Sequence, residues 1–212
     1  MNILGIDEAG RGPVLGPLVM AGVMVDDITP LERLGVKDSK LLTKEQREKL
    51  YAQIIPIVVH KVMVLEPNDI DAALQSFSTN LNWLEAQTSA KILNALNPAK
   101  AVIDCPSPNI KAYHDYLKRL VNKEMELIVR HKAEEHPAVA AASIIAKVTR
   151  DNLIEQLKKE IGINFGSGYM SDPLTQQFLE EHHETHHHLF RKGWASYKET
   201  IVRKEQTNLS WF

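Results

Sequence analysis

Three apolar, β-branched runs stand ahead of a strand–helix–strand–helix alternation, and that order constrains the fold more than any other feature of the 212-residue chain. Residues 2–6, 14–25 and 56–65 read as strands, joined closely enough for an antiparallel meander. Residues 100–104 (KAVID) and 125–130 read as two more strands. Amphipathic residues 110–121 lie between them, and a long helical stretch, 138–161, follows. Strands alternating with helices pair in parallel through crossovers. The expectation is an α/β fold with a mixed five-stranded sheet, part meander and part parallel, flanked by helices.

Other helices have their own signals. Thr43-Lys44-Glu45-Gln46 is a capping-box pattern that opens a helix running to about residue 54. Residues 67–77 and 81–96 are helical, with Leu81, Leu84, Ile92 and Leu96 at helical spacing. After Gly162 the character changes. Residues 164–173 are rich in Gly, Ser and Pro and read as loop, residues 174–187 as a polar helix, and residues 191–204 carry five cations against Glu199. Two domains are expected, 1–162 and a helical extension over 163–212.

Composition narrows the setting. Cys105 is the one cysteine, which excludes a disulfide framework within the chain and any Cys-rich zinc module. The longest apolar stretch, 14–25, is interrupted by Gly16, Pro17 and Gly22 and is too short to span a bilayer. No basic start precedes Asp7 and Glu8, so no signal peptide is expected, and the reading is a cytoplasmic, monomeric protein in a reducing compartment. A net charge of −2 gives no global basic field. A nucleic-acid partner is then held by local patches or through metal ions.

Carboxylates at element ends carry the candidate chemistry. Asp7 and Glu8 end the first strand, and Gly10-Arg11-Gly12 follow in a turn whose backbone N–H groups can approach a phosphate closely. Successive strand residues face opposite sides, so the two carboxylates converge only if the chain bends at Glu8. Asp104 ends KAVID, where open α/β sheets bind ligands. Glu134 and Glu135 precede the small-residue helix that starts at Ala138. Each cluster alone reads equally as a solvated turn or a helix-dipole partner. Together, three such clusters suit two divalent ions, Mg²⁺ or Mn²⁺, which take hard oxygen ligands and serve phosphodiester hydrolysis. Cys105 reads as a small buried residue rather than a nucleophile.

The heptapeptide DEAGRGP (residues 7–13) closely resembles the opening of ribonuclease HII. The resemblance continues through Asp38-Ser39-Lys40, Leu81-Asn82 with Leu84-Glu85, Val102-Ile103-Asp104, and residues 141–151 (AASIIAKVTRD). Gly166-Ser167-Gly168-Tyr169, Ser171-Asp172-Pro173 and Arg191-Lys192-Gly193-Trp194 resemble the archaeal-type tail. It implies an RNase H-like fold with a C-terminal helical extension. The implied activity is endonucleolytic cleavage of RNA in RNA–DNA hybrids, including single ribonucleotides embedded in duplex DNA, leaving 5′-phosphate and 3′-hydroxyl ends. By the same resemblance Asp7, Glu8 and Asp104 are metal-binding carboxylates. Gly10, Arg11 and Gly12 read the ribonucleotide, and Tyr169 stacks on the sugar at its junction with DNA. Lys40 and Lys147 are candidate phosphate contacts. Trp194 reads as an anchor of the extension. One position departs: the family places a fourth carboxylate, an Asp, where this chain has Ala133. Glu134 is the expected substitute, with Glu135 the other choice.

Two other functions compete. A non-catalytic nucleic-acid binding protein of the same fold would follow if the altered fourth carboxylate disabled the metal site. His183-Glu184-Thr185-His186-His187 matches H-E-x-x-H, the zinc protease pattern, with His183 and His187 as ligands and Glu184 as base. That segment lies in a histidine-rich run that is polar all round, whereas a zinc protease helix buries an apolar face. Residues 207–212 end in two aromatics and read as a self-packed tail.

Overall fold

The computed structural model describes residues 1–36 and 42–209. Its sheet has the strand order β3-β2-β1-β4-β5, from β1 (Ile3–Ala9), β2 (Leu18–Val25), β3 (Val59–Leu65), β4 (Lys100–Asp104) and β5 (Glu126–Arg130). β1 runs antiparallel to β2 and parallel to β4, and β4 runs parallel to β5. This is the expected mixed sheet. The helices are α1 (Thr29–Arg33), α2 (Lys44–Ile54), α3 (Pro67–Gln75), α4 (Leu81–Leu96), α5 (Ile110–Leu120), α6 (Pro137–Ile161), α7 (Pro173–His182) and α8 (Ala195–Leu209). Asp38, Ser39 and Lys40, and with them the proposed Lys40 contact, lie outside the described residues, as do residues 210–212.

The chain divides into two compact units. The first takes Met1–Ala9, Val19–Val64 and Leu81–Arg150; the second takes Gly10–Leu18, Leu65–Asn80 and Asp151–Phe212. The expected extension, 163–212, falls inside the second unit, which also draws in residues 10–18, 65–80 and 151–162.

In the first unit the sheet is covered by α6 on one face and α4 on the other. A Cβ on Gly5 would lie 2.2 Å from the carbonyl carbon of Ala138 and 2.3 Å from the nitrogen of Val139. The small residues Ala138, Ala140, Ala141 and Ala142 are fully buried there, so helix backbone meets strand backbone. On the opposite face a Cβ on Gly22 would meet Ile92 of α4 and Leu4 of β1. The Thr43 capping box forms as expected: Gln46 N–H donates to Thr43 Oγ1 at 3.3 Å, and Thr43 N–H donates to Gln46 Oε1 at 2.8 Å.

The second unit has a separate aromatic core in which Val14, Leu15, Phe165, Phe178 and Phe190 are buried. Here the structure departs from the sequence reading. The strand expected from residue 14 begins only at Leu18, because Pro17 has no N–H to offer a ladder and the amides of Val14 and Leu15 both donate to Gly168 O. Helix α7 stops at His182 rather than 187. Phe178 gathers His182 and His186 against its ring, with centroids 5.0 and 5.5 Å away, and residues 183–186 turn. β3 starts at Val59, after a 3-10 turn containing Pro56. Among the described residues no helix is long and apolar enough to cross a membrane.

The contact at Gly5 yields a stability prediction. Both atoms in the way are backbone and cannot rotate aside, so Gly5→Ala should cost about 3 kcal/mol or more of unfolding free energy in urea. A loss below about 1 kcal/mol would show that α6 does not need this approach.

Candidate active site

Asp7 shares the α6 face of β1 with Gly5, two residues away. Its carboxylate accepts the Glu8 N–H at 2.8 Å and hydrogen-bonds the Ser143 hydroxyl. Ser143 is buried, and Lys147 stands one helical turn beyond it on α6. Burial pushes the Asp7 carboxyl up to about 6, against the hydrogen bonds from Ser143 and the Glu8 amide. The negative charge of Asp104 raises it further, and Lys147 pulls it down.

Asp104 ends β4, the parallel neighbour of β1. Its Oδ1 accepts the N–H of Ala133 at 2.9 Å, at the start of a 3-10 turn over Ala133–Glu135. Ala133 itself is fully buried and packs with Val102 and Val139. The position where a family Asp was expected thus points into an apolar cluster. Glu134, the next residue, is partly buried. Glu135 is exposed and pairs loosely with Arg130 at 3.8 Å.

β1 does not bend at Glu8. β1 continues in register with β2 through Asp7↔Ala21, Glu8↔Met20 and Ala9↔Val19, so Asp7 and Glu8 alternate. Asp7 meets α6, and the charge of Glu8 acts on Tyr113 of α5 and, together with that of Asp104, on Cys105, so Glu8 shares the neighbourhood of Asp104. Tyr113 and Cys105 are both pushed up chiefly by burial, which leaves the Cys105 thiol protonated and unreactive.

Among the described residues no three His, Cys, Asp or Glu side chains are grouped so as to hold a metal ion. What the first unit offers is an open oxygen set: Asp7 and Asp104 side by side on parallel strands, with Glu134 bonded to the residue whose amide holds Asp104. A buried carboxylate with a second one on the neighbouring strand fits a divalent cation, which offsets both the desolvation and the repulsion. Hard oxygen donors suit Mg²⁺ or Mn²⁺ and not a thiolate or imidazole metal. The histidine-rich segment does not rival this. His183 and His187 flank the end of α7 rather than sitting one turn apart on it, which corrects the H-E-x-x-H reading.

The second unit holds the turn Gly10-Arg11-Gly12. Gly10 has φ of 83°, a conformation that side chains resist. A Cβ on Gly12 would lie 3.5 Å from the Tyr169 ring, so the turn and the aromatic meet. Tyr169 is 40% exposed, which leaves ring surface for a ligand. Its loop is tied down by Asp172, which accepts the Ser167 and Leu174 N–H groups at 2.7 and 3.0 Å, and by Thr175 Oγ1, which accepts the Gly168 N–H at 3.0 Å. Arg191 is fully buried and donates to two carbonyls of the turn, Gly10 O and Arg11 O, and to Gly16 O beyond it, while Trp194 donates to the third, Gly12 O.

Two of these residues carried no assigned role in the sequence reading. Ser143 could have been found from its i, i+4 spacing to Lys147. Arg191 had no local signal, since its partners lie about 175 to 181 residues earlier in the chain.

Comparison with known proteins identifies the family. The family model described as Ribonuclease HII matches residues 4–197. Ribonuclease HII of Methanococcus maripaludis (strain C6) is 43% identical over 98% of this chain and 90% of its own length. The solved ribonuclease H2 of Pyrococcus horikoshii OT3 superposes with a TM-score of 0.87, at 40% identity, covering 97% of this chain and 99% of that one. The RNase HII in a solved PCNA complex from Archaeoglobus fulgidus gives 0.79 at 41% identity, covering 85% and 86%. Bst-RNase HIII solved with Mn²⁺ gives 0.80 at 25% identity, covering 97% and 71%. A match of this extent, in sequence and in fold together, means that the chain belongs to the ribonuclease HII family of enzymes.

Proposed function

We propose that the chain hydrolyses the RNA strand of RNA–DNA hybrids, including single ribonucleotides embedded in duplex DNA, with two divalent ions, Mg²⁺ or Mn²⁺. The products carry 5′-phosphate and 3′-hydroxyl ends. The observation that carries this reading is the pair Asp7 and Asp104 on adjoining parallel strands, with the Asp7 charge suppressed by burial. The Mn²⁺ complex of Bst-RNase HIII supports the choice of metals.

Asp7, Glu8, Asp104 and Glu134 would hold the ions, with Asp7 and Asp104 at the centre. Bound divalent ions lower the pKa of water and stabilise the leaving oxygen. The chain's own groups orient this site. Ser143 fixes the Asp7 carboxylate, the Ala133 amide fixes Asp104, and Lys147 offers a cation to a substrate phosphate. Substrate choice falls to the second unit. Ribo- and deoxyribonucleotide backbones differ by the 2′-OH, so a selective enzyme must hydrogen-bond that group. Backbone groups of Gly10-Arg11-Gly12 serve this, while the Tyr169 face senses the adjoining sugar. The PCNA complex of the Archaeoglobus fulgidus relative supports a partner of the same kind for this chain.

Asp7→Asn and Asp104→Asn should each lower cleavage about a thousand-fold, the loss expected when metal-centred stabilisation of several kcal/mol is removed. Hybrid binding measured by gel shift should persist, because phosphate contacts remain. Near-normal turnover by either variant at saturating Mg²⁺ would sink the assignment.

Tyr169→Ala should lose more activity on an embedded single ribonucleotide than on a long hybrid. Stacking is worth about 1–3 kcal/mol per contact, and a single ribonucleotide gives the enzyme one place to bind in register. Equal losses on both substrates would argue against a role at the junction.

Glu134→Gln should lower activity about ten- to a hundred-fold and raise the Mg²⁺ requirement, while Glu135→Gln stays within about two-fold of the parent. The basis is the bond from Glu134 to the residue that holds Asp104, against the exposure of Glu135 and its partner Arg130. A reversed pattern in Mg²⁺ titrations would move the role to Glu135.

A further inference from the structure

We propose that Arg191 and Trp194 are positioning residues that fix which way the peptide groups of the Gly10-Arg11-Gly12 turn face, and so present its N–H groups to the ribonucleotide. This inference rests on the substrate reading above and names residues to which that reading gives no part.

The guanidinium of Arg191 is fully buried in the second unit. Nη2 donates to Gly10 O at 2.6 Å, Nη1 to Arg11 O at 2.9 Å, and Nε to Gly16 O at 3.0 Å. Trp194 Nε1 donates to Gly12 O at 3.1 Å, and its ring lies 5.1 Å from the Arg191 guanidinium carbon. All three carbonyls of the turn are therefore drawn to one side.

In a trans peptide the N–H points opposite to the C=O of the same unit, and the chain has no cis peptides among its described residues. Holding the Gly10 and Arg11 carbonyls turns the N–H groups of Arg11 and Gly12 away from the clamp. Those two donors are then aimed together, an arrangement that receives an anion or a hydroxyl oxygen. Pro13 follows and has no N–H, so holding the Gly12 carbonyl adds rigidity rather than another donor.

The clamp is itself anchored. Asp71 of α3 is buried and accepts the Lys192 and Gly193 N–H groups at 2.9 and 2.8 Å. A Cβ on Gly193 would lie 2.6 Å from Leu74. The Arg191 N–H donates to Val14 O at 2.8 Å, tying the same segment to the far side of the loop. Arginine suits the task because its planar fork addresses several carbonyls at fixed angles, which a lysine ammonium on a flexible stem does not.

Arg191→Lys and Trp194→Phe in the full chain test the proposal. Each variant is first checked for folding by circular dichroism and thermal melting. The readout is kcat/KM on a duplex with one embedded ribonucleotide divided by kcat/KM on an all-RNA hybrid. A long hybrid offers a 2′-OH at every step and tolerates a loosened turn, whereas a single ribonucleotide does not. The ratio should fall about ten-fold for Arg191→Lys and about three-fold for Trp194→Phe, as lost charge-assisted and neutral hydrogen bonds would give. The Mg²⁺ concentration for half-maximal rate on the hybrid should stay at the parent value. Parallel losses on both substrates, or an unchanged ratio, would reduce the two residues to structural supports and overturn the proposal. If Arg191→Lys does not fold, Trp194→Phe decides by the same ratio. A parent chain that fails to cut at the embedded ribonucleotide overturns the substrate reading and this inference with it. A parent that cuts there, beside folded variants of unchanged ratio, overturns the clamp alone.

Discussion

Backbone-to-backbone contact between β1 and α6 is the constraint from which the geometry of the candidate site follows. With no Cβ at Gly5, the start of α6 lies directly on the strand, and its alanines keep the surface flat. One helix then fixes several groups by periodicity alone. Ser143 arrives over Asp7, two residues beyond Gly5 on the same strand face, and Lys147 follows a turn later. The turn over Ala133–Glu135, just ahead of α6, delivers an amide to Asp104 on the next strand. A larger residue at position 5 would push the helix outward and loosen all of these together.

The two units handle buried charge in opposite ways. Asp7 is held at a cost, chiefly of burial and in smaller part of the nearby Asp104 charge, visible in its raised proton affinity. A divalent ion bound there, as proposed, would relieve that cost. Arg191 is also buried, yet its charge is met by carbonyl dipoles from the loop it orders. Its desolvation is compensated within the fold, so it holds a shape rather than awaiting a ligand.

Much of the scaffold was legible because its causes are local. The capping box at Thr43, the alternation that makes β1, β4 and β5 parallel, and the alanine run of α6 all follow from neighbours in the chain. Elsewhere distant partners won. Val14 and Leu15 look like strand in isolation, but Gly168 takes their amides and the aromatic core takes their side chains. Residues 183–187 look helical, but Phe178 draws His182 and His186 around its ring and the helix ends. Whether the chain bends at Glu8 was open in the sequence, and the ladder of Asp7 and Glu8 to Ala21 and Met20 keeps the strand straight. Arg191 was the least legible of all, since nothing near it in sequence announces a clamp on residues 10–16.

Ala133 shows how a fold accommodates an apolar residue beside the proposed metal ligand Asp104. Its amide still holds Asp104, but its side chain fills an apolar cluster with Val102 and Val139. A carboxylate on that Cβ would be buried away from any cation. Lys132 precedes it at φ of 56°, a left-handed conformation that costs a non-glycine residue about 1 kcal/mol or more and turns the chain sharply. In the 3-10 turn that follows, each residue rotates by about a third of a turn, so Glu134 departs from the apolar side that Ala133 occupies. The partly buried Glu134 is thereby separated from the exposed Glu135 by backbone geometry, before any difference in chemistry between two identical side chains is invoked. In the proposed site, the longer reach of a glutamate would let such a shifted backbone still bring a carboxylate toward Asp104.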